Sequence, residues 1–237
     1  MSDEVTVRRA GLADAPAVMR ALGQGCLDEA VFSWVVPDGS ARQERTVAWT
    51  GQAAAWVGGM LEEGVLLVAE HGAGEIAGLS LWELLPADPA AGQAPPAEPA
   101  PGTTGSPGTD TASGEPTGSA EETARFIPVY GPEYAPRMAL VSELTRRRHP
   151  RREPHWYLQQ MVVVPTWRGH GLGGAMLRHQ LELVDTAGLG AYLEASSARN
   201  RKLYERHGFR AHGDPIRLPE DGPAIQPMWR PPAAGQR

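Results

Sequence analysis

Residues 155–184, "HWYLQQMVVVPTWRGHGLGGAMLRHQLELV", constrain the fold more than any other stretch. An apolar run ending in Val162, Val163 and Val164 meets a proline and then a burst of glycines. A segment with Leu177, Leu181 and Val184 at helical spacing follows. A strand that enters a helix through a glycine-rich turn is a building unit of α/β folds. Gly169, Gly171 and Gly174 satisfy G-x-G-x-x-G, the dinucleotide fingerprint. Gly171, Gly173 and Gly174 fall in the expected first helical turn, where each glycine costs ~1 kcal/mol relative to alanine. Repeated acceptance of that cost fits a ligand that needs bare backbone. A helix N-terminus presents unpaired N–H groups and a positive dipole end to a phosphate or pyrophosphate. A tight turn with close packing and no ligand is the alternative.

The rest of the chain alternates in the same way. "VTVRRA" (5–10) reads as a strand, and Asp14 as the cap of a helix with Pro16 in its first turn. A second helical stretch covers about 41 to 60. "VLLVAEHGAGEIAGLSLWEL" (65–84) reads as a hairpin. "PEYAPRMALVSELTRRR" is a helix, "WYLQQMVVV" a strand, and Gly188 stops the helix after the glycine loop. "AYLEAS" is a strand and "ARNRKLYERHG" a short helix, with "FRAHGDPIRL" and "AIQPMW" closing the domain. The predicted order is β-α-α-β-β-α-β-α-β-α-β-β.

One segment departs from this pattern. Residues 86–124 hold eight Pro and six Gly in 39 positions, with no Val, Ile, Leu, Met, aromatic or basic residue. Such a segment cannot bury enough apolar surface to offset the entropy of ordering it, so a disordered acidic linker is expected. Residues 1–85 and 125–237 then form a single interrupted domain. The linker's six acids account for the whole formal charge of −6, leaving the folded part neutral. That balance argues against a nucleic-acid protein driven by bulk charge. No apolar run is long enough to cross a bilayer, the N-terminus has no signal-peptide character, and Cys26 is a lone cysteine. A cytoplasmic protein without membrane partners is expected.

An NAD(P)-dependent oxidoreductase is one reading of the loop. Glu194 follows Gly174 by 20 residues, where a ribose-binding acid belongs. Against it, "PTWR" separates strand from glycines, and the unit sits late in the chain.

Read as Arg168-x-x-Gly171-x-Gly173, the loop resembles the acetyl-CoA motif of the GNAT N-acetyltransferase superfamily. "HWYLQQMVVVPTWRGHGLG", "AYLEASSARNRKLYERHGF" and "PMWR" occur in the order of its puromycin N-acetyltransferase-like branch, and "VTVRRAGLADAPAVMRAL" resembles the first strand and helix. The resemblance implies a GNAT-like mixed α/β fold, a strongly twisted central sheet flanked by helices, here with a long insertion. It also implies acetyl-CoA as acetyl donor. Met161, Val162 and Val163 would hold the pantetheine arm; Arg168, Gly169, His170, Gly171, Leu172, Gly173 and Gly174 would hold the pyrophosphate. Asn200 would bond the arm, a bulged N–H near Val163 would face the oxyanion, and Tyr204 would be the general acid.

The general base stays open. Glu194 at the end of its strand is the first candidate, with Glu143 and His155 as alternatives. Phe32, Trp34, Trp49, Trp56, Tyr130 and Tyr134 supply aromatic surface for a flat or apolar amine, though most aromatics at helical spacing are core. The run "RRRHPRR" (146–152) reads as a solvated loop more readily than as a phosphate or RNA site. No histidine has metal-ligand spacing, so no metal is expected. The expected reaction moves acetyl from acetyl-CoA to a primary amine of a small molecule, an antibiotic or related metabolite. A protein-modifying acetyltransferase is a further alternative.

Overall fold

Near-continuous apolar runs at 65–69 and 76–82, buried on both faces, pair two strands edge to edge and set the middle of the sheet. In the computed structural model, which describes residues 5–72, 74–88 and 119–233, these are β2 (Val65–His71) and β3 (Glu75–Leu85). β1 (Val5–Arg9) flanks β2, and β4 (His155–Val163) flanks β3. The sheet continues through β5 (Gly190–Ala195), β8 (Ala224–Arg230) and β6 (Arg210–Ala211), while β7 (Ile216–Arg217) also pairs with β8. All pairings are antiparallel except β4 with β5. This is the mixed α/β, GNAT-like architecture expected from the sequence.

Helices cover both faces. On one, α1 (Ala15–Cys26), α3 (Gly39–Thr50) and α4 (Ala53–Glu63) bury Val18, Met19, Leu22, Trp49 and Val57 against Leu66, Val68, Leu79 and Val162. On the other, α6 (Leu172–Thr186) buries Leu172, Met176, Leu177, Leu181 and Val184. Each such fully buried side chain contributes ~1.5–3 kcal/mol relative to exposure. The short α7 (Ala198–Glu205) adds Tyr204 to the α6 cluster.

The expected helix at about 41–60 is two helices, because Gly51 and Gln52 interrupt it between α3 and α4. An unforeseen short helix, α2 (Ala30–Val35), precedes them. Asp14 occupies the position before α1 but makes no side-chain capping bond. Its carboxylate instead takes Gly11 N–H and the Arg8 guanidinium. α5 (Ala120–Arg148) starts inside the stretch that composition assigned to the linker, capped by the Ser119 hydroxyl, and is broken at Gly131. Residues 89–118 of that stretch lie outside the described residues. Among the described residues, no helix is long and apolar enough to cross a membrane.

The feature that positions the site is the way β4 leaves β5. Their parallel pairing runs only from His155↔Gly190 to Leu158↔Leu193. At that end the β3–β4 register slips, with Leu81 opposite Gln160 and Trp82 opposite Leu158, so Gln159 is a bulge. A bulge reverses which side chains face which side of a sheet. Before it, Tyr157 meets His149 at the end of α5; after it, Gln160 and Val162 face α1, and Met161 and Val163 turn toward Gly173 of α6. The resemblance placed a bulged N–H near Val163; the bulge sits four residues earlier, at the fork itself.

Candidate active site

Gly171 is the cap of α6, one step outside the first turn where the sequence reading put it. Its φ of 83° is left-handed, a region that costs L-residues with a Cβ roughly 1–2 kcal/mol. Gly173 is bare for another reason: a Cβ there would stand 3.2 Å from Leu203 Cδ2. The first intrahelical bond is Ala175 N–H to Gly171 C=O at 2.9 Å. The N–H groups of Leu172, Gly173 and Gly174 precede it and point out of the helix start.

These groups open into a cleft of about 510 Å³ beside the free edge of β4. Met161, Val162, Val163, Arg168, Gly169, Gly171, Leu172, Gly173, Gly174 and Asn200 line it together. Val164 N–H bonds Ala77 C=O of β3, so strand alternation turns the N–H groups of Met161 and Val163 away from β3, toward the cleft. An extended chain carrying amides could pair with that edge. Helix start, free edge and bare glycines fit the pyrophosphate and pantetheine of coenzyme A.

Two expected ligands sit differently. The Arg168 guanidinium is already engaged by Asp28, Gly25 C=O and Val163 C=O. It staples the loop to the end of α1, and Asp28 raises its already high basicity. The His170 ring lies outside the cleft lining, edge-on to His71 and Trp167.

A second cleft of about 740 Å³ lies on the other side of the fork and shares Glu29, Met161, Ser196 and Asn200 with the first. Both predicted catalytic residues, Tyr204 and Glu194, line this second cleft. Tyr204 is 6% exposed, and burial, with a smaller contribution from the Glu29 charge, pushes its phenol well above the ordinary range. Glu194 is the first β5 residue beyond the β4 pairing. Its Oε2 accepts the Tyr157 hydroxyl at 2.9 Å, and its Oε1 is buried without a hydrogen bond. Burial, with Glu194 beside them, raises the pKa of both Tyr157 and Tyr192. Phe32, Trp49 and Tyr130 pack ring to ring in the wall, joined by Phe126. Trp34, Trp56 and Tyr134 are not in the lining.

The alternative bases are elsewhere occupied. Glu143 is held by Arg146 and Arg147, which keep its carboxyl below the usual range, and it lines neither cleft. His155 is 1% exposed, and burial lowers its pKa. From the basic run, Arg146, His149 and Arg151 border the second cleft, opposite the glycine loop across the fork.

Glu29 escaped the sequence reading. Its Oε2 caps α2 by accepting Phe32 N–H at 2.8 Å, while Oε1 is buried without a partner where the two clefts join. Nothing in "CLDEAVF" separates it from an ordinary helix cap. Cys26 is buried beside it, its thiol pushed up to about 12 mainly by burial, which suits packing and not nucleophilic chemistry. Among the described residues, no group of three or more His, Cys, Asp or Glu is arranged to hold a metal.

Residues 139–211 match the family model of the acetyltransferase (GNAT) domain. A 62-residue stretch is 36% identical to a glucosamine 6-phosphate N-acetyltransferase of Trypanosoma brucei brucei; it covers 26% of this chain and 42%, less than half, of that relative. Among solved structures, a Corynebacterium glutamicum protein described as histone acetyltransferase HPA2 and related acetyltransferase superposes with a TM-score of 0.64 at 25% identity, over 98% of this chain and 99% of its own. Arylalkylamine N-acetyltransferase 2 of Aedes aegypti shares the fold, with a TM-score of 0.57 at 12% identity over 96% and 98% of the two chains. The matches support an acyltransferase enzyme.

Proposed function

We propose that this chain, which carries a GNAT acetyltransferase domain, moves the acetyl group of acetyl-CoA to a primary amine of a small molecule by direct attack in a ternary complex. The carrying observation is the pair of clefts that meet at Glu29, Met161, Ser196 and Asn200. One has the bare helix start and free strand edge suited to a nucleotide-linked thioester. The other has carboxylates and an aromatic wall suited to an amine with a flat apolar face, such as an antibiotic or related metabolite.

The reaction needs a neutral amine, a stabilised oxyanion and a proton for the departing thiolate. Glu194 takes the proton from the amine, directly or through a water, as the C–N bond forms. Glu29, at the junction, holds the incoming ammonium, which gives one proton to solvent before it attacks as the neutral amine. The cleft-facing N–H groups of Met161 and Val163 are candidates for the thioester oxygen, Asn200 for the arm. The C–S bond breaks, and Tyr204, kept protonated by burial, gives its hydroxyl proton to sulfur. Solvent restores both groups.

Screening amines with acetyl-CoA while following free thiol tests this reading. Thiol release with aromatic amines supports it; none with any small amine, but acetylation of a partner protein, would favour the second reading. That protein-modifying reading draws on the Corynebacterium relative, whose description names a histone acetyltransferase. The oxidoreductase reading loses its main support, because Glu194 is not in the lining of the glycine-loop cleft.

A further inference from the structure

The floor of the second cleft contains a contact that requires a proton. His155 Nδ1 lies 2.8 Å from Glu153 C=O. A carbonyl only accepts, so Nδ1 carries the hydrogen. Burial keeps His155 neutral, which leaves its Nε2 as a lone pair. His149 Nε2, 3.1 Å away, must therefore donate to it. The remaining His149 nitrogen, Nδ1, stands 3.8 Å from Glu194 Oε1, the buried oxygen that has no hydrogen bond. With neither group protonated, a nitrogen lone pair would face a carboxylate oxygen, even with the Tyr192 hydroxyl beside that carboxylate. One proton between them turns that repulsion into an ion pair or a hydrogen bond.

We propose that His149 and Glu194 act as one base that shares a single proton, with His149 as the proton store and His155 as the residue that fixes its orientation. The inference rests on the acetyltransferase reading for its role, but not for its geometry. The resting proton first leaves His149 Nδ1 for solvent through the second cleft; as the amine attacks, its own proton passes to Glu194 Oε1 and on to the vacated Nδ1. It goes no further inward, because His155 Nδ1–H ends on a backbone carbonyl that cannot take a proton. His149 borders the second cleft and returns the proton to solvent there. The sulfur is protonated separately by Tyr204, so the sum is amine plus thioester giving amide plus thiol.

The other charged or titratable groups around the pair are Glu83 on β3, Arg148 on α5, Glu153 before β4, Tyr157 on β4 and Tyr192 on β5. The two tyrosines stay protonated, because burial raises both. Glu83 and Glu153 stand against the one positive Arg148, so the surrounding charge leans negative and favours a proton held on the pair.

Long-range ¹H–¹⁵N spectra of the ligand-free protein at pH 7 test the shared proton without any turnover. The proposal expects both ring nitrogens of His149 to be protonated in the wild type, and Nδ1 to be bare in Glu194→Gln. A bare Nδ1 in the wild type overturns it, and needs no variant to fold. Kinetics with acetyl-CoA and 2-phenylethylamine as probe test the role. His149→Gln keeps a donor for His155 but cannot store a proton, and should lower kcat by ~10²-fold, the low end for general-base loss. The deficit should shrink as pH rises and more amine arrives neutral. The double variant should be no slower than Glu194→Gln alone; additive losses would show two independent groups and overturn the shared base. Absent turnover in every protein, wild type included, counts against the acetyltransferase reading, while the spectra still decide the proton pair.

Discussion

Arg168 reaches 140 residues back along the chain and grips both carboxylate oxygens of Asp28, with Nη2 at 2.7 Å from Oδ1. Two more of its five N–H donors go to Gly25 C=O and Val163 C=O, which leaves one Nη1 N–H for the cleft that Arg168 lines. Arg168 ties the glycine loop to the segment that carries Glu29, so the two clefts are held in register by one guanidinium. The Arg168 charge in turn holds the Asp28 carboxyl below the usual range.

Asp28→Asn should therefore loosen the loop more than it destabilises the fold. Asp28 is 58% exposed, and exposed pairs contribute only ~0–1 kcal/mol, so the melting temperature should move by a few degrees at most. Acetyl-CoA affinity should fall by about 3- to 10-fold. A variant with unchanged affinity by calorimetry would show that the loop holds its shape without the staple.

Two glycine substitutions separate conformation from packing. Gly171→Ala forces a Cβ into left-handed backbone with open space around it, a cost of ~1–2 kcal/mol. Gly173→Val drives a branched side chain against Leu203. Both should weaken acetyl-CoA binding, but only Gly173→Val should also disturb α7, seen as a changed environment for Tyr204. Wild-type affinity in folded Gly171→Ala protein would return the loop to a ligand-free tight turn.

Most of the sheet, the α6 face and the glycine loop were legible in the sequence because each rests on local periodicity or on glycine's special backbone. Ten of the eleven residues assigned to coenzyme A line one cleft for the same reason: they are nearly contiguous, and only the His170 ring turns elsewhere. What could not be read depends on distant partners. The Gln159 bulge follows from a register slip against Leu81 and Trp82. Glu29 became a site residue only when α2 folded over the fork, and His149 only when the end of α5 met β4 and β5. Composition also overran the linker's end, since Ser119 and Glu122 are polar yet cap and tie a helix: the Glu122 carboxylate accepts the Ser142 hydroxyl at 2.7 Å.

That difference makes the linker testable at its boundary. Replacing residues 89–118 with a short Gly/Ser tether should leave thermal stability within a few degrees of wild type, because their composition offers nothing to pack. Deleting 88–122 instead removes the Ser119 cap and the Glu122 contact, and should cost ~1–2 kcal/mol and loosen the wall formed by Phe126 and Tyr130. Equal melting temperatures for the two deletions would show that the start of α5 contributes nothing.

Tyr204→Phe tests the acid. The ring and its contact with Phe209 remain, so packing and acetyl-CoA affinity should be kept. Loss of the hydroxyl should lower kcat by ~10²-fold, the low end for acid–base groups because a thiolate leaves fairly well unaided. Burial raises the phenol's pKa, so the protonated form persists through neutral and alkaline pH. The wild-type kcat should accordingly show no alkaline fall below about pH 10, the ordinary phenol value. Wild-type turnover by Tyr204→Phe with chemistry limiting would make Tyr204 a core residue.

The central claim is that the cleft between the α6 start and the free edge of β4 binds acetyl-CoA. Calorimetric titration of the full chain with acetyl-CoA and, separately, with NADH and NADPH addresses it most directly. One acetyl-CoA site that weakens in Gly171→Ala is expected, and no heat from either nicotinamide. Saturable NADH or NADPH binding with no acetyl-CoA signal would contradict it.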